Sequence, residues 1–568
     1  MKKMVEIIYN TGLFIILVLT TIISLTGITF IFGGSIGYWQ LPLSVILATF
    51  ITFYINGKNI KKLLLTILLA STISVGSLFI CSEYYDTYWD SNGYHKDAVG
   101  ALKNGWNPIY QNYIDFYEEK GNRNMELIGD EIEGSNGFWQ THYTKGIWYT
   151  SANIYKFTND IEMSKITNIL LIYISFSLVL AVCYKYSQKL LLSFIVALLF
   201  SCSPVTIVQM LSYYNDGALY NTLLILVISL LLYISEKNEK NLNEILIWIF
   251  CSIVFISNIK FTGLGYGGIM CIGIYLYYLI SKYKEKRIKE VIKPTIIFVS
   301  AVLFGVLVVG FQPYVTNTYY KGNPLYPLAG KDKVDIVTYN EPSEFHEMNT
   351  VEKFFISLFG KSQNINERSE VLVQTKTPFI IYPEEFLDLQ KADLRISGFG
   401  LYFSGIFIIS LGIITFYLIK YFKTNKKIFI CTSILVLTIT GLIVFISESW
   451  WARYTPFVYF VPLIAIFFLI KNYKIDINKT YFAIVSIIMI LNLSLFIEHN
   501  LMVNLEQSRQ IRKTLKWYEK KNKKITIVDS YNNLAGYIYT LEDRNIEYEF
   551  STKRTKKDKE LFRYIYYR

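Results

Sequence analysis

The segment "YYDTYWDSNGYHKDAV", residues 84–99, places acidic and imidazole side chains directly after about twenty apolar residues. Asp86, Asp90 and His95 lie within it. A carboxylate or an imidazole within hydrogen-bond reach can take the proton of a hydroxyl group. Partial desolvation at a membrane boundary raises the pKa of a carboxylate and strengthens it as a base. The segment therefore predicts a catalytic base, with Asp90, Asp86 and His95 as the candidates.

The two acids are not equivalent, and the choice between them depends on local structure. Asp86 and Asp90 stand four residues apart, so they would share one face of a helix. In the turn that residues 91–93 ("SNG") favour, only one of them would point inward. This turn would bring His95 back towards Asp90, which favours Asp90, but the assignment between the two acids stays open. The alternative is that both acids cap helices or stay solvated at the start of a loop.

A second polar group lies in "FWQTHYTKGIWY", residues 138–149. A fixed cation such as Lys145, next to His142, could hold a phosphate near the membrane, and Trp139 could stack on a sugar ring. Tyrosine and tryptophan also form interfacial belts in membrane proteins generally, so the aromatic residues alone are weak evidence. Asp86, Asp90, His95 and His142 could hold a divalent metal, but no HExxH or comparable spacing supports this alternative. We therefore predict no metal and no other cofactor.

Three further candidates for substrate binding lie in short loops. "SNIKFTG" carries Lys260, and "SESWWARYTP" carries Glu448 and Arg453. An interfacial arginine stays charged and forms paired hydrogen bonds with phosphate oxygens. The alternative is an internal Glu448–Arg453 ion pair or a side chain that reaches to the membrane surface.

The elements that position these residues are membrane spans. The 568 residues are 52% hydrophobic and only 18% charged, and the apolar residues come in runs long enough to cross a bilayer as helices. We predict an all-α polytopic membrane protein with about thirteen spans. The predicted spans are 11–32, 39–55, 63–82, 166–183, 190–208, 217–234, 245–257, 264–280, 295–311, 397–418, 428–446, 455–470 and 480–498.

Lysine and arginine counts in the short loops predict the orientation. With the N-terminus in the cytoplasm, the cytoplasmic segments hold 22 of these residues, whereas the opposite short loops hold only Lys260 and Arg453. The loops 83–165 and 312–396 and the tail 499–568 then face outward. The net charge of +12 is explained by these lysines, so we predict no nucleic-acid partner. The six cysteines lie in or beside apolar runs, which indicates neither a disulfide framework nor a thiolate metal site.

The chain divides into five predicted parts. These are two N-terminal spans (1–62), a transmembrane module with the first large outer loop (63–311), a second outer loop (312–396), four C-terminal spans (397–498) and a small outer α/β domain (499–568). The α/β domain is indicated by a strand–helix–strand pattern in residues 523–550. Two short amphipathic stretches, 95–106 and 351–360, are predicted to lie along the membrane surface, with packing on the outer domain as the alternative.

This arrangement resembles the GT-C superfamily of integral-membrane glycosyltransferases, which includes protein O-mannosyltransferases and the lipid A aminoarabinose transferase. Residues 89–108 and 141–160 look similar to bacterial members of that group, and the likeness of architecture covers about the whole chain. Two spans precede the loop that carries Asp90, whereas the best-known members place this loop after the first span. The adjacent acidic pair of the mannosyltransferases is not reproduced.

The resemblance implies a function in the bacterial cell membrane. A sugar carried on polyprenyl phosphate would pass to the hydroxyl of a cell-surface glycan, lipid or protein, with inversion. Asp90 would be the base, and Lys145, Lys260 or Arg453 would stabilise the leaving phosphate. The alternatives are a polysaccharide polymerase or ligase, and a transporter or flippase of lipid-linked oligosaccharides.

Overall fold

The structure, a computed structural model, describes residues 1–120, 136–335, 338–369, 371–529, 535–551, 553–563 and 565–568. Long apolar helices dominate it, as the runs of Ile, Leu and Phe require. The helices up to residue 209 are α1 (Lys2–Ile31), α2 (Gln40–Ile55), α3 (Ile60–Ser82), α4 (Lys96–Lys103), α5 (Tyr113–Lys120), α6 (Asn136–His142), α7 (Gly146–Thr158), α8 (Thr167–Ser187), α9 (Leu190–Ser201) and α10 (Pro204–Gln209). The helices that follow are α11 (Asp216–Ser235), α12 (Glu239–Ile256), α13 (Phe261–Lys284), α14 (Lys289–Phe304), α15 (Thr316–Lys321), α16 (Thr350–Leu358), α17 (Phe403–Thr424), α18 (Lys426–Phe445), α19 (Phe460–Lys471), α20 (Asp476–Phe496), α21 (Val503–Lys521) and α22 (Ile538–Glu542).

In the part of the chain that the structure describes, nine helices are long and apolar enough to cross a membrane: α1, α3, α8, α11, α13, α14, α17, α18 and α20. The protein is therefore an all-α polytopic membrane protein, with a small sheet in its tail. The other four predicted spans coincide with α2, α9, α12 and α19, which are shorter or, in α12, carry Glu239, Lys240 and Glu244 near one end. The structure thus supports nine spans by length and composition, against the thirteen predicted.

The lysine-bearing turns meet at one end of the helix bundle. Lys185, after α8, forms an ion pair with Glu236, after α11, at 3.0 Å. Lys427, at the start of α18, donates to the carbonyl oxygen of Ile234 at 2.9 Å. The loops predicted to face outward meet at the opposite end, so the segments that the lysine counts assign to one side do lie together. We call the end with the large loops the outer end.

The two short amphipathic stretches both form helices, but their surroundings differ. In α4, Ala98 and Leu102 are fully buried, as is Trp106 beyond it. Protein rather than lipid covers this face, so the prediction that it lies along the membrane is wrong, and packing on the outer domain is correct. Helix α16 buries Phe354 and leaves Phe355 about half exposed, so its membrane contact stays a prediction.

The tail forms the predicted α/β domain and extends it. Helix α20 continues through a π-helical turn into α21, which leads out of the bundle. The strands β1 (Ile525–Asp529), β2 (Tyr548–Ser551), β3 (Lys559–Phe562) and β4 (Ile565–Tyr567) form one sheet in the order β2-β1-β4-β3. β2 runs parallel to β1, and β4 runs antiparallel to both β1 and β3.

The tail domain packs on the first outer loop. Asp543 accepts hydrogen bonds from the Tyr155 hydroxyl at 2.5 Å and from the Ile161 N–H at 2.8 Å. Gly100 of α4 lies against the Tyr539 ring so closely that a β-carbon there would overlap it. The tail domain and the first outer loop therefore lie on the same side of the bundle.

Candidate functional site

Three carboxylates from distant parts of the chain surround one guanidinium at the outer end. Arg453, in the connection between α18 and α19, lies with its Nη1 3.0 Å from Asp90 Oδ2 and 3.1 Å from Asp393 Oδ1. Its Nε lies 4.0 Å from Asp216 Oδ2 at the start of α11. Asp90 precedes α4, and Asp393 belongs to the second outer loop. The site therefore joins four segments that the sequence places far apart.

Lys260 adds a second cation to this cluster. Its Nζ lies 2.5 Å from Asp216 Oδ1 and 4.2 Å from the centre of the Tyr454 ring. Gln209 donates to the other oxygen of Asp216 at 3.0 Å. Asp216 is therefore held by several fixed partners. We call Asp90, Asp216, Lys260, Asp393 and Arg453 the outer cluster.

The three carboxylate side chains of the outer cluster differ in how much of their surface is exposed. The side chain of Asp216 is 2% exposed, whereas those of Asp90 and Asp393 are 20% and 27% exposed. Only Asp90 and Asp393 are open enough to touch a substrate. The cations are nearly buried, each with a side chain 9% exposed, which strengthens their electrostatic interactions. Among the described residues, Arg453 Nε is buried and has no hydrogen-bond partner, and it faces Asp216 Oδ2 at 4.0 Å.

The electrostatics favour Asp90 as a base. Burial raises the pKa of the Asp90 carboxyl, the Arg453 guanidinium opposes this, and the nearby Asp393 raises the pKa further. The phenol of Tyr214 accepts a hydrogen bond from the Asp90 N–H at 3.4 Å, and its ring lies 5.2 Å from the Arg453 guanidinium. Asp90 is thus a partly desolvated acid with a firmly placed backbone.

A buried ion network fixes the segment before Asp90. Glu162 accepts hydrogen bonds from the Lys96 ammonium at 2.6 Å and from the Asp86 N–H at 3.1 Å, and it also pairs with Lys165. Lys96 donates in addition to the Asp86 carbonyl oxygen at 2.8 Å. The segment is therefore tied to the start of α8, which sets the position of Asp90.

Asp86 has a structural role in this geometry. Its carboxylate accepts hydrogen bonds from the N–H groups of Tyr88 at 3.1 Å and Tyr213 at 2.7 Å, and the residue is 1% exposed. The expectation that Asp86 could be the base is not supported, because both of its carboxylate oxygens are occupied. The predicted Asn92-Gly93 turn is also absent, since residues 91–95 form a π-helical turn that continues into α4.

His95 lies beside the outer cluster but is held neutral. Its Nδ1 accepts a hydrogen bond from Trp148 Nε1 at 2.7 Å, and its ring contacts the Tyr94 ring in a tilted arrangement, 4.2 Å between centres. Burial lowers its pKa to about 3, although Asp216 opposes the shift. His95 is therefore a neutral side chain packed against Tyr94 and Trp148.

Three predicted binding residues do not reach the outer cluster. Burial lowers the pKa of the Lys145 ammonium well below its usual value, and the ammonium donates to the carbonyl oxygens of Thr141 and Tyr143 at 3.2 and 2.8 Å. His142 Nδ1 pairs with Asn317 at 2.9 Å, and burial lowers its pKa to about 4. The Lys145 ammonium is therefore held by backbone oxygens, and the His142 ring packs against the Phe138 and Tyr326 rings. The half-buried Trp139 contacts the Phe138 and Tyr143 rings.

Glu448 is not the partner of Arg453. It is half-buried beyond the end of α18, and the ion pairs of Arg453 run to Asp90, Asp393 and Asp216 instead. The internal pair considered from the sequence is therefore wrong. The described residues contain no group of three or more His, Cys, Asp or Glu side chains arranged to hold a metal. At the outer cluster, a guanidinium occupies the centre of the three acids.

Asp216 and Asp393 were missed by the sequence reasoning. Asp216, in "YYNDGALY", is an acid at the end of a span, the same signal that singled out Asp90. Asp393, in "KADLRISG", lies in a long polar loop with many other acids, and nothing local distinguishes it.

Comparisons with known proteins add no family. The chain matches no protein-family model, no curated protein and no solved structure. The resemblance to the GT-C superfamily therefore stays a prediction from the residues and the architecture.

Proposed function

We propose that this protein is a membrane glycosyltransferase that moves a sugar from a polyprenyl-phosphate donor to an acceptor hydroxyl at the outer end. The observation that carries the proposal is the pairing of the partly exposed Asp90 with the nearly buried Arg453 at the outer end. A base and a phosphate-binding cation are the two groups that such a transfer needs.

The chemistry follows from the arrangement of the charges. The acceptor oxygen loses its proton to Asp90 as it attacks the anomeric carbon, and the bond to the phosphate oxygen breaks on the opposite face, which inverts the anomeric centre. The leaving phosphate needs charge stabilisation rather than a proton, and the Arg453 guanidinium can supply it. Lys260 keeps Asp216 paired, and Asp393 contacts the same guanidinium nitrogen, Nη1, as Asp90.

A comparison of cells carrying Asp90→Asn and the parent protein tests the proposal. Asp115, an exposed acid of α5, provides the matched control Asp115→Asn. With protein levels matched, we expect Asp90→Asn alone to remove one sugar decoration from the cell surface and to leave its lipid-linked precursor in excess. Unchanged surface glycans with a redistributed precursor would favour a flippase, and loss of chain length rather than of a decoration would favour a polymerase or ligase.

The proposal includes an orientation in the bacterial cell membrane, with the N-terminus in the cytoplasm and the tail domain outside. The concentration of lysines at the end opposite the outer cluster supports it. A membrane-impermeant thiol reagent should label a cysteine placed at Lys556 in intact cells, but not one placed at Lys423. The reverse pattern would overturn the orientation.

A further inference from the structure

A cavity of about 310 Å³ lies between α8, α11, α18 and α19, away from the outer cluster. Its walls are mainly aliphatic, with Val182, Leu231 and Ile464 as representative side chains. Its first wall residue on α11, Leu224, lies eight residues beyond Asp216, about 12 Å along the helix. The volume falls within the range of cavities that bind small molecules.

The end of this cavity near the lysine-bearing turns is polar and basic. Asn425 and Lys427 line it from the start of α18, and Lys471 lines it from the end of α19. Both lysine residues are exposed. Glu236, just beyond the end of α11, is paired with Lys185 at 3.0 Å rather than with either lysine of the cavity. The cavity is thus an apolar slot with two exposed lysine residues at its mouth, and no described carboxylate pairs with either, although Lys427 also donates to the Ile234 carbonyl oxygen at 2.9 Å.

We infer that this cavity binds one acyl chain of an anionic glycerophospholipid, with the lipid phosphate held between Lys427 and Lys471. The walls include side chains that are partly open to the bilayer, such as Phe467 at 37% and Tyr186 at 47% exposure, so a lipid chain can enter sideways. The two ammonium groups select a lipid with net negative charge over a zwitterionic one. This lipid site does not depend on the proposed transfer reaction.

Binding of phosphatidylglycerol to the purified full-length protein, measured by native mass spectrometry, tests the inference. Each lysine near a membrane surface contributes about a fivefold increase in affinity for anionic lipid, so Lys427→Ala with Lys471→Ala should weaken binding about thirtyfold. Lys426→Ala with Lys474→Ala removes the same charge from the same turns outside the cavity, and it should leave binding unchanged. Equal losses in both double variants would overturn the inference, because they would indicate general surface attraction.

A second variant distinguishes binding of the acyl chain from binding of the lipid headgroup. Ile464→Trp fills the cavity and leaves both lysines in place, so it should reduce phosphatidylglycerol binding at least about tenfold. Phosphatidylcholine should bind much more weakly than phosphatidylglycerol to the unmodified protein. Unchanged binding in Ile464→Trp, equal binding of the two lipids, or co-purification of a polyprenyl phosphate in place of a glycerophospholipid would each refute the assignment.

Discussion

The pKa of Asp90 should depend on the charge of Arg453. Arg453 Nη1 lies 3.0 Å from the carboxylate oxygen. With charge centres about 4 Å apart and an effective dielectric constant of about 20, the attraction is about 4 kcal/mol. Arg453 is shared with Asp393, so part of this attraction acts on Asp90, and Arg453→Gln should raise the pKa of Asp90. The sign is upward because the variant loses the charge that stabilises the carboxylate.

Infrared difference spectroscopy of the purified protein can follow this titration without a substrate. The carbonyl band of the protonated Asp90 carboxyl is assigned by its loss in Asp90→Asn, and its intensity is recorded against pH. Arg395→Gln is the matched control, because the Arg395 side chain is also 9% exposed but pairs with Asp393 rather than Asp90.

The control should move the midpoint by less than about 0.5 units. Arg453→Lys retains the charge and should give a smaller shift than Arg453→Gln, which keeps the comparison valid if the glutamine variant folds poorly. A midpoint in Arg453→Gln within about 0.5 units of the parent would refute the reasoning that this ion pair controls the base.

Three further predictions concern groups around the site. Glu162→Gln leaves the buried ammonium groups of Lys96 and Lys165 without their carboxylate, so thermal unfolding in detergent should show that the free energy of unfolding falls by about 3–5 kcal/mol. A fall of less than about 1 kcal/mol would contradict a stabilising role of this ion network. Lys145→Met should change stability by no more than about 1.5 kcal/mol and leave sugar transfer intact, because this ammonium meets only backbone oxygens and aromatic rings; loss of transfer in the folded variant would restore its phosphate role. Burial raises the pKa of Asp543 from 3.8 to about 7, so between these values the folded state keeps a proton that the unfolded state releases. Hydrogen-exchange protection of the tail domain should therefore fall as pH rises from 4 to 7. Asp543→Asn should abolish this pH dependence, and a pH dependence that persists in the variant would show that Asp543 is not its cause.

The membrane helices and three of the five residues of the outer cluster could be predicted from the sequence. Apolar runs specify spans by length alone, and Asp90, Lys260 and Arg453 were recognisable as charges in the loops beside spans. Their partners were not predictable, because Asp90 and Arg453 are 363 residues apart and no local pattern links them.

Burial explains the sequence predictions that failed. Lys145 and Arg453 looked alike as interfacial cations, but Lys145 is enclosed by Trp106 and Trp148, whereas Arg453 faces carboxylates. The amphipathic pattern of α4 fits lipid and protein equally well, and helix α7 and the tail domain, which both pack on α4, decide between them. β3 and β4 were missed because they are short and lie among charged residues.

The rate of sugar transfer in the Asp90→Asn protein tests the central claim most directly. In a pulse–chase experiment, labelled sugar leaves the lipid-linked pool and enters the finished surface glycan, and the chase rate reports the transfer step. A positioned base contributes about 10²- to 10⁴-fold to such a step, so the chase in Asp90→Asn should slow by at least about a hundredfold while the labelled donor still forms. A chase rate within about twofold of the parent, at equal protein level, would show that Asp90 is not the base.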